Sequence, residues 1–361
     1  MKKTFISLLL SVLFAQGCRE EYLPPAIATK NNFLVVEGFI NSGNDSTIIK
    51  LSRTKNLSDT TFEIPELNAT VIIRGKSGSI FNLPHQGAGR YASAPLALNS
   101  TDEYQLKINT AGGSSYESDY VKVKQTPEID SISWKQDRDA TIFVSTHDAT
   151  NSTRFYRWEF IETWEYHSYY DSNLGYDYVA NQLFYLDSSQ LRTVCFLSAR
   201  STDVYLSTSK NLSDDVIENF PLSEIPNGSD KIGVRYSILV KQYAMSQTAF
   251  QYWQQIRKNA KELGSIFGTQ PAELIGNLHS ITNPNEPVIG YMSASSVSEK
   301  RIFIRNNQLV NWSSRSSQDE TCEPILTIPD SASYYLQNFR DLGPAYFITG
   351  GGLAIAKKTC V

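Results

Sequence analysis

A mainly β protein is what the amino-acid sequence predicts: a β-sandwich first, then a larger β-rich domain that carries one amphipathic helix. Three observations predict it. Short apolar or alternating runs recur between Gly- and Asn-rich punctuation. Aromatic residues make up 12% of the chain, 20 of them Tyr, beside abundant β-branched residues and Asn, Ser and Thr, which suits half-buried pleated surfaces. A helical period of three to four appears once, near residues 248–263.

The first element is a leader. Met1-Lys2-Lys3 precedes an apolar run from Phe5 to Phe14, and Ala15-Gln16-Gly17-Cys18 follows. A basic start, a short apolar stretch and small residues at a cut site form a secretory signal; about ten apolar residues fall short of the roughly 20 that span a bilayer. The cysteine after the small residue is similar to the lipobox of bacterial lipoproteins. Residues 1–17 therefore read as a lipoprotein signal peptide and Cys18 as the lipidated residue, so the chain meets the membrane through its lipid anchor. Residues 18–32, polar and holding Pro24-Pro25, read as a tether. Within it, Arg19-Glu20-Glu21 is similar to the surface-export signal of Bacteroidetes lipoproteins. That implies the outer membrane with display at the cell surface, the periplasmic face being the alternative.

Residues 33–127 carry strand-like runs at Phe33–Ile40, Thr47–Ser52, Ala69–Arg74, Ile80–Leu83, Tyr104–Ile108 and Tyr116–Lys124. Turns such as Asn41-Ser42-Gly43-Asn44-Asp45 and Ala111-Gly112-Gly113 separate them. About seven strands in roughly 90 residues indicate an immunoglobulin-like sandwich, ending at Thr126-Pro127 because proline cannot donate to a ladder.

The second domain, 128–361, opens with strand-like runs at Ile132–Trp134 and Ala140–Ser145 and then gives the clearest strand. Tyr156, Trp158, Phe160, Trp164 and Tyr166 lie on one face, Arg157, Glu159, Thr163, Glu165 and His167 on the other. Glu162 interrupts the aromatic face, so a bulge or a buried, partnered carboxylate is expected there. Further strands are expected at Leu191–Leu197, Val204–Thr208, Lys231–Tyr243, Val288–Ser293, Glu299–Ile304 and Ala345–Ile348. The helix begins where Thr248 and Gln251 form a capping box, and Phe250, Trp253, Ile256, Ala260 and Leu263 make its apolar stripe. A five-residue echo, Lys55 to Asp59 and Lys210 to Asp214, is too short for a repeat and reads as two similar turns.

Chemistry is sparse. Charged residues are 19% of the chain and the net charge is -4, so no overall basic field gathers nucleic acid. No nucleophile elbow, phosphate loop or H-E-x-x-H is present, and no catalytic residue is assigned. His85, His147, His167 and His279 are scattered; His167 and Glu165 share a strand face without a third ligand. Besides Cys18 there are Cys195, Cys322 and Cys360. In an oxidising compartment Cys322 with Cys360 is the favoured disulfide, leaving Cys195 as a small buried apolar residue. Their spacing does not suit a metal, and no cofactor beyond the lipid is implied. Glu159, Glu162 and Glu165 invite a glycosidase reading, but a strand turns Glu162 away from the other two. The candidate binding surface is the run Tyr166, Tyr169, Tyr170, Tyr176 and Tyr178, because tyrosine joins contact area to a hydrogen-bonding tip; the same rings serve equally as crevice filler.

Tyr156 to Phe160, Lys210 to Asp214, Tyr252-Trp253 and above all Gly276-Asn277-Leu278-His279 through Asn283-Pro284-Asn285-Glu286-Pro287 to Tyr291 carry a resemblance. The chain resembles an uncharacterised family of Bacteroidetes outer-membrane lipoproteins, a domain of unknown function often encoded beside SusC-like TonB-dependent transporters. The resemblance implies a binding or accessory component of a nutrient uptake system, with such a transporter as partner; it carries over no catalytic residue, and the leading expectation is a non-enzymatic role. The alternatives are a surface glycan hydrolase and an adhesin-like structural β protein.

Overall fold

The computed structural model of the protein describes residues 32–55, 63–167, 170, 172–191, 194–262, 274–312, 324–327, 329–339, 342–348 and 352–357. Alternation sets the first elements. Leu34, Val36 and Ile40 turn inward on β1 (Leu34–Asn41), and Ile49 and Leu51 do so on β2 (Ser46–Arg53). Between them Asn41 accepts from the Gly43 amide through its side chain at 2.9 Å, a turn that asparagine makes by folding onto its own backbone. The chain continues through β3 (Thr70–Gly75), β4 (Arg90–Pro95), β5 (Glu103–Asn109), β6 (Ser115–Ser118) and β7 (Val121–Lys124). The run Tyr116–Lys124, expected as one strand, is two. The Leu106 amide donates to Ser118 Oγ at 2.9 Å in place of a ladder carbonyl, so the pairing with β5 breaks and resumes at Val121. In one arm of a twelve-stranded sheet β2 pairs with β1 and β4, and in the other β5 pairs with β3, β6 and β7. Both close over a single core that includes Leu34, Ile49, Ile73, Leu106 and Ile108.

The second sandwich follows in β8 (Ile129–Gln136), β9 (Ala140–His147), β10 (Phe155–His167), β11 (Val194–Arg200), β12 (Val216–Ile225) and β13 (Arg235–Ala244). The order β8-β9-β12 makes one sheet. Strand β10, thirteen residues long, is central in the other, between β11 and β13. Its aromatic face is the core, with Tyr156 and Trp158 fully buried against Ile142, Val144 and Ile217. Glu162 lies in that core without a bulge, in unbroken register with β13. It is the partnered carboxylate the sequence called for: Tyr236 donates to Oε1 at 2.7 Å and Lys231 to Oε2 at 2.6 Å.

After β13 comes the helix α1 (Gln247–Glu262). Its cap is Ser246, whose hydroxyl accepts from the Ala249 amide at 3.1 Å. Thr248, expected as the cap, sits inside the first turn and bonds the Tyr291 hydroxyl at 2.7 Å instead. Ser246 and Thr248 both carry a capping hydroxyl, and the helix starts at Gln247 directly after Ser246, which takes the cap position.

The chain then returns to the first sandwich, which composition could not foretell. Strand β14 (Leu278–Ser280) extends the sheet edge at β6. The 288–295 segment lies between β1 and β7, ending in β15 (Ala294–Ser295), parallel to both. Asn277, buried, clasps this segment by donating to the Met292 carbonyl at 2.9 Å and accepting from its amide at 2.7 Å. The Asn-Pro-Asn-Glu-Pro turn is fastened too, for Tyr116 donates to Glu286 Oε1 at 2.7 Å and Arg53 stands 3.7 Å from it. Strand β16 (Val297–Arg305) then joins β13 in the second sandwich.

A third, smaller cluster forms around Leu174, Leu336, Leu353 and Ile355. It joins the hairpin Leu174–Asp177 and Gln182–Tyr185 to the strands Ile325–Thr327, Leu342–Ile348 and Gly352–Lys357 and to a second helix, α2 (Pro329–Asn338). The sequence reading had only one helix. Apart from the short α2, the expected mainly β architecture with a helix near 248–263 is what the chain adopts.

Burial pushes the phenols of Tyr156, Tyr236 and Tyr243 far above their ordinary range, reinforced by Asp215, Glu162 and Glu159 respectively. A folded-state pKa raised above the unfolded one leaves stability intact below about pH 10 and removes it as pH rises further, because only the unfolded chain can release those protons. Urea midpoints recorded from neutral pH upward are expected to stay level and then fall above about pH 10.

Candidate functional site

The junction between the sandwiches is held by buried polar groups. Thr126 donates to the Ser296 carbonyl at 2.5 Å and accepts from the Ala244 amide at 3.0 Å. Gln242, fully buried, accepts from Trp158 Nε1 at 2.8 Å and donates to Pro127 O and Thr146 Oγ1, each at 2.9 Å. These bonds tie both crossings of the chain, at Thr126-Pro127 and at Ser296, to the strands of the second sandwich.

Beside this seam runs an open groove of about 660 Å³. Glu37, Phe39 and Ile48 form its wall on the first sandwich, β10, β13 and β16 its floor, and Trp253 of α1 and Tyr291 its far rim. Strand periodicity sends Arg157, Glu159, Lys241, Tyr243 and Glu299 to this side. Arg157 lies between two rings, 4.5 Å from the centre of Tyr243 and 4.4 Å from that of Trp253, and donates to Glu159 Oε1. Its side chain is only 12% exposed, so the guanidinium is held rather than waving. Tyr243, kept protonated by burial, donates to Glu159 Oε2 at 3.1 Å, and Phe39 meets its ring edge-on at 5.2 Å. Lys241 reaches Glu299 at 2.5 Å. The result is a prearranged surface of aromatic faces and fixed charges, able to bind and orient a ligand or partner. A second cavity of about 270 Å³ opens on the far side of Tyr291, between Tyr120, Lys122 and Thr248.

The sequence reading placed recognition elsewhere. Tyr166, on β10, is half-buried and bonds Cys195, itself half-buried where the sequence reading expected full burial. Tyr170 packs on the small cluster of Ala345, Ala354 and Ala356. Tyr176 packs against the Leu174 cluster and meets Tyr178 edge-on at 5.2 Å. These four lie away from the groove lining. Tyr169, Cys18, Cys322 and Cys360 lie outside the described residues, and so does the leader. Nothing local marks Arg157, Tyr243 and Trp253 as site residues, because strand or helix period already accounts for each; an arginine alternating with core aromatics is the available signal.

Three of the four histidines pair with carboxylates, His147 with Asp130 at 2.8 Å, His167 with Glu165 at 3.2 Å and His279 with Asp119 at 3.1 Å, whereas His85 stacks on the Tyr91 ring at 4.9 Å. Hydrogen bonding to Asp130 raises the pKa of His147. Among the described residues no group of three His, Cys, Asp or Glu side chains is placed to hold a metal ion. Glu159 and Glu165 share the outer face but stand six residues apart, about 20 Å along a strand, too far to flank one glycosidic bond. No described helix is long and apolar enough to cross a membrane.

Fold and groove together define a two-sandwich β protein with a charged, aromatic cleft at the seam. The chain belongs to the family described as Domain of unknown function (DUF4249), whose model matches residues 19–301. The match takes in both sandwiches and ends within β16. No curated protein matches the chain.

Proposed function

We propose that the protein is a lipid-anchored outer-membrane protein, displayed at the cell surface, that serves as a binding or accessory component of a TonB-dependent uptake system. The observation that carries this reading is the groove beside the seam, where Arg157 is clamped between Tyr243 and Trp253. Its order is present before any ligand arrives, which lowers the entropic cost of binding. The lipobox-like run ending at Cys18 supports the anchor. A binding role is favoured over hydrolysis because Glu159 and Glu299 are each engaged by a cation, and Glu159 and Glu165 stand too far apart to flank one glycosidic bond.

Purification from outer membranes tests the reading. The mature chain is expected to carry acyl groups on Cys18 by mass spectrometry and to be recovered with a TonB-dependent barrel. Trp253→Ala combined with Arg157→Ala is expected to lower that recovery on the order of tenfold, since aromatic and Arg anchors dominate such contacts. Recovery of the chain alone, together with cleavage of a polysaccharide, would overturn it.

A further inference from the structure

The groove floor does not end at the seam. The outer face of the β11-β10-β13-β16 sheet continues from it for about 20 Å along the strands. Cross-strand register fixes what this face presents. Arg200 of β11 shares a row with Ile161, Leu239 and Arg301, and Arg235 lies opposite Arg305. The carboxylates on this side are each matched by a cation, Glu165 by Arg235 at 3.0 Å, Glu299 by Lys241 at 2.5 Å and Glu159 by Arg157, which leaves Arg200, Arg301 and Arg305 as the surplus. The surplus of positive charge is local, in a chain whose net charge is -4.

Two further features accompany the charge. Phe303 projects between Arg301 and Arg305 on β16 and is 57% exposed, and Phe196 on β11 is 56% exposed. Between the basic rows runs a hydroxyl row in which Thr163 and Ser198 bond each other at 3.0 Å. Arg200 and Arg301 are three strands apart, about 14 Å, and Arg301 and Arg305 four residues apart, about 13 Å. Cations so spaced on a flat, open face match a polymer that repeats its charge better than one compact anion. Guanidinium forks take carboxylates two bonds at a time, and exposed rings offer apolar area to the faces of sugar rings.

We propose that this face binds an acidic polysaccharide, one that carries carboxylates along its length, laid across β10 and β13 and leading into the groove. The inference rests on the binding reading above and names the ligand class for the same surface.

Native electrophoresis of the full, detergent-solubilised chain through gels containing polygalacturonate tests it. Retardation is expected with the free acid and not with the methyl-esterified polymer. Arg301→Glu with Arg305→Glu is expected to weaken retention on the order of tenfold, while Arg90→Glu on β4 leaves it unchanged. Arg200→Glu, at the opposite edge of the sheet, gives a second reading should the double variant lose its fold. Absence of retardation, equal retardation by the esterified polymer or by double-stranded DNA, or full retention by folded charge-reversed variants would overturn the proposal. The two readings fail separately. Loss of polysaccharide retention with barrel recovery intact removes only the ligand class, and the reverse removes only the transporter partnership.

Discussion

Glu162→Ala is expected to destabilise the second sandwich by about 3 kcal/mol, read as a lower urea midpoint in the fluorescence of Trp158 and Trp164. The carboxylate is 5% exposed in a core otherwise built from Trp158, Phe160, Ile238 and Val240. Its removal strands two close donors, besides the longer bond from Ser223 at 3.5 Å. The Tyr236 hydroxyl, in a side chain with no exposed surface, loses an acceptor that water cannot replace, and an orphaned buried donor costs more than the net worth of the bond that held it. Lys231 fares better, since its side chain is one-third exposed and can turn outward. That escape keeps the expected loss at the lower end for a broken buried pair. Glu162→Gln separates charge from shape: the amide still accepts from Tyr236 but points a donor at Lys231, so a smaller loss is expected. A midpoint for Glu162→Ala within experimental error of the unchanged chain would show that the pair is not structural.

That carboxylate was legible in the sequence, and the reason explains how far such reading goes. Strict alternation over β10 fixed which side chains face the core, so a single acidic residue among aromatics had to be partnered; its partners lie 69 and 74 residues away and left no local signature. The helix was legible for the same reason, a period, while its cap was not, because Ser246, Thr248 and their neighbours compete and tertiary context chooses. Runs such as Tyr116–Lys124 were read as too long because a side chain, Ser118, ends the ladder early.

The groove was beyond any local pattern. Phe39, Arg157, Lys241, Trp253 and Tyr291 come from five separate stretches, and only the return of residues 278–295 to the first sandwich brings the two walls together. Cysteine and tyrosine counts pointed instead to the far end of β10 and to the C-terminal stretch, where composition is conspicuous and the described residues form a small satellite core. Conspicuous composition marks where side chains are concentrated, whereas a cleft arises wherever two bodies meet.

That return depends on two glycines, and Gly276→Ala is expected to undo it. A Cβ at Gly276 would stand 1.8 Å from the Gly290 carbonyl oxygen, a backbone atom that cannot swing aside. Gly290 cannot retreat in turn: its φ is +145°, and a Cβ there would lie 2.3 Å from the Val36 oxygen of β1. Relief requires the 288–295 segment to leave its place between β1 and β7, giving up among others the bonds of Val36, Ile40 and Ser42 to Ile289, Ser293 and Ser295. The expected cost is about 3 kcal/mol or more, a fall of roughly 10 °C in the thermal midpoint of a body this size. Gly113→Ala separates crowding from backbone strain, since its φ is +85° with nothing within 4 Å of the added carbon; a loss of about 1 kcal/mol is expected there. Because Tyr291, Ser293 and Ser295 line the groove, Gly276→Ala should also abolish the binding that Trp253→Ala with Arg157→Ala weakens. A Gly276→Ala chain that melts with the unchanged one and still binds would mean that the segment's seat between the sheets is not what builds the groove.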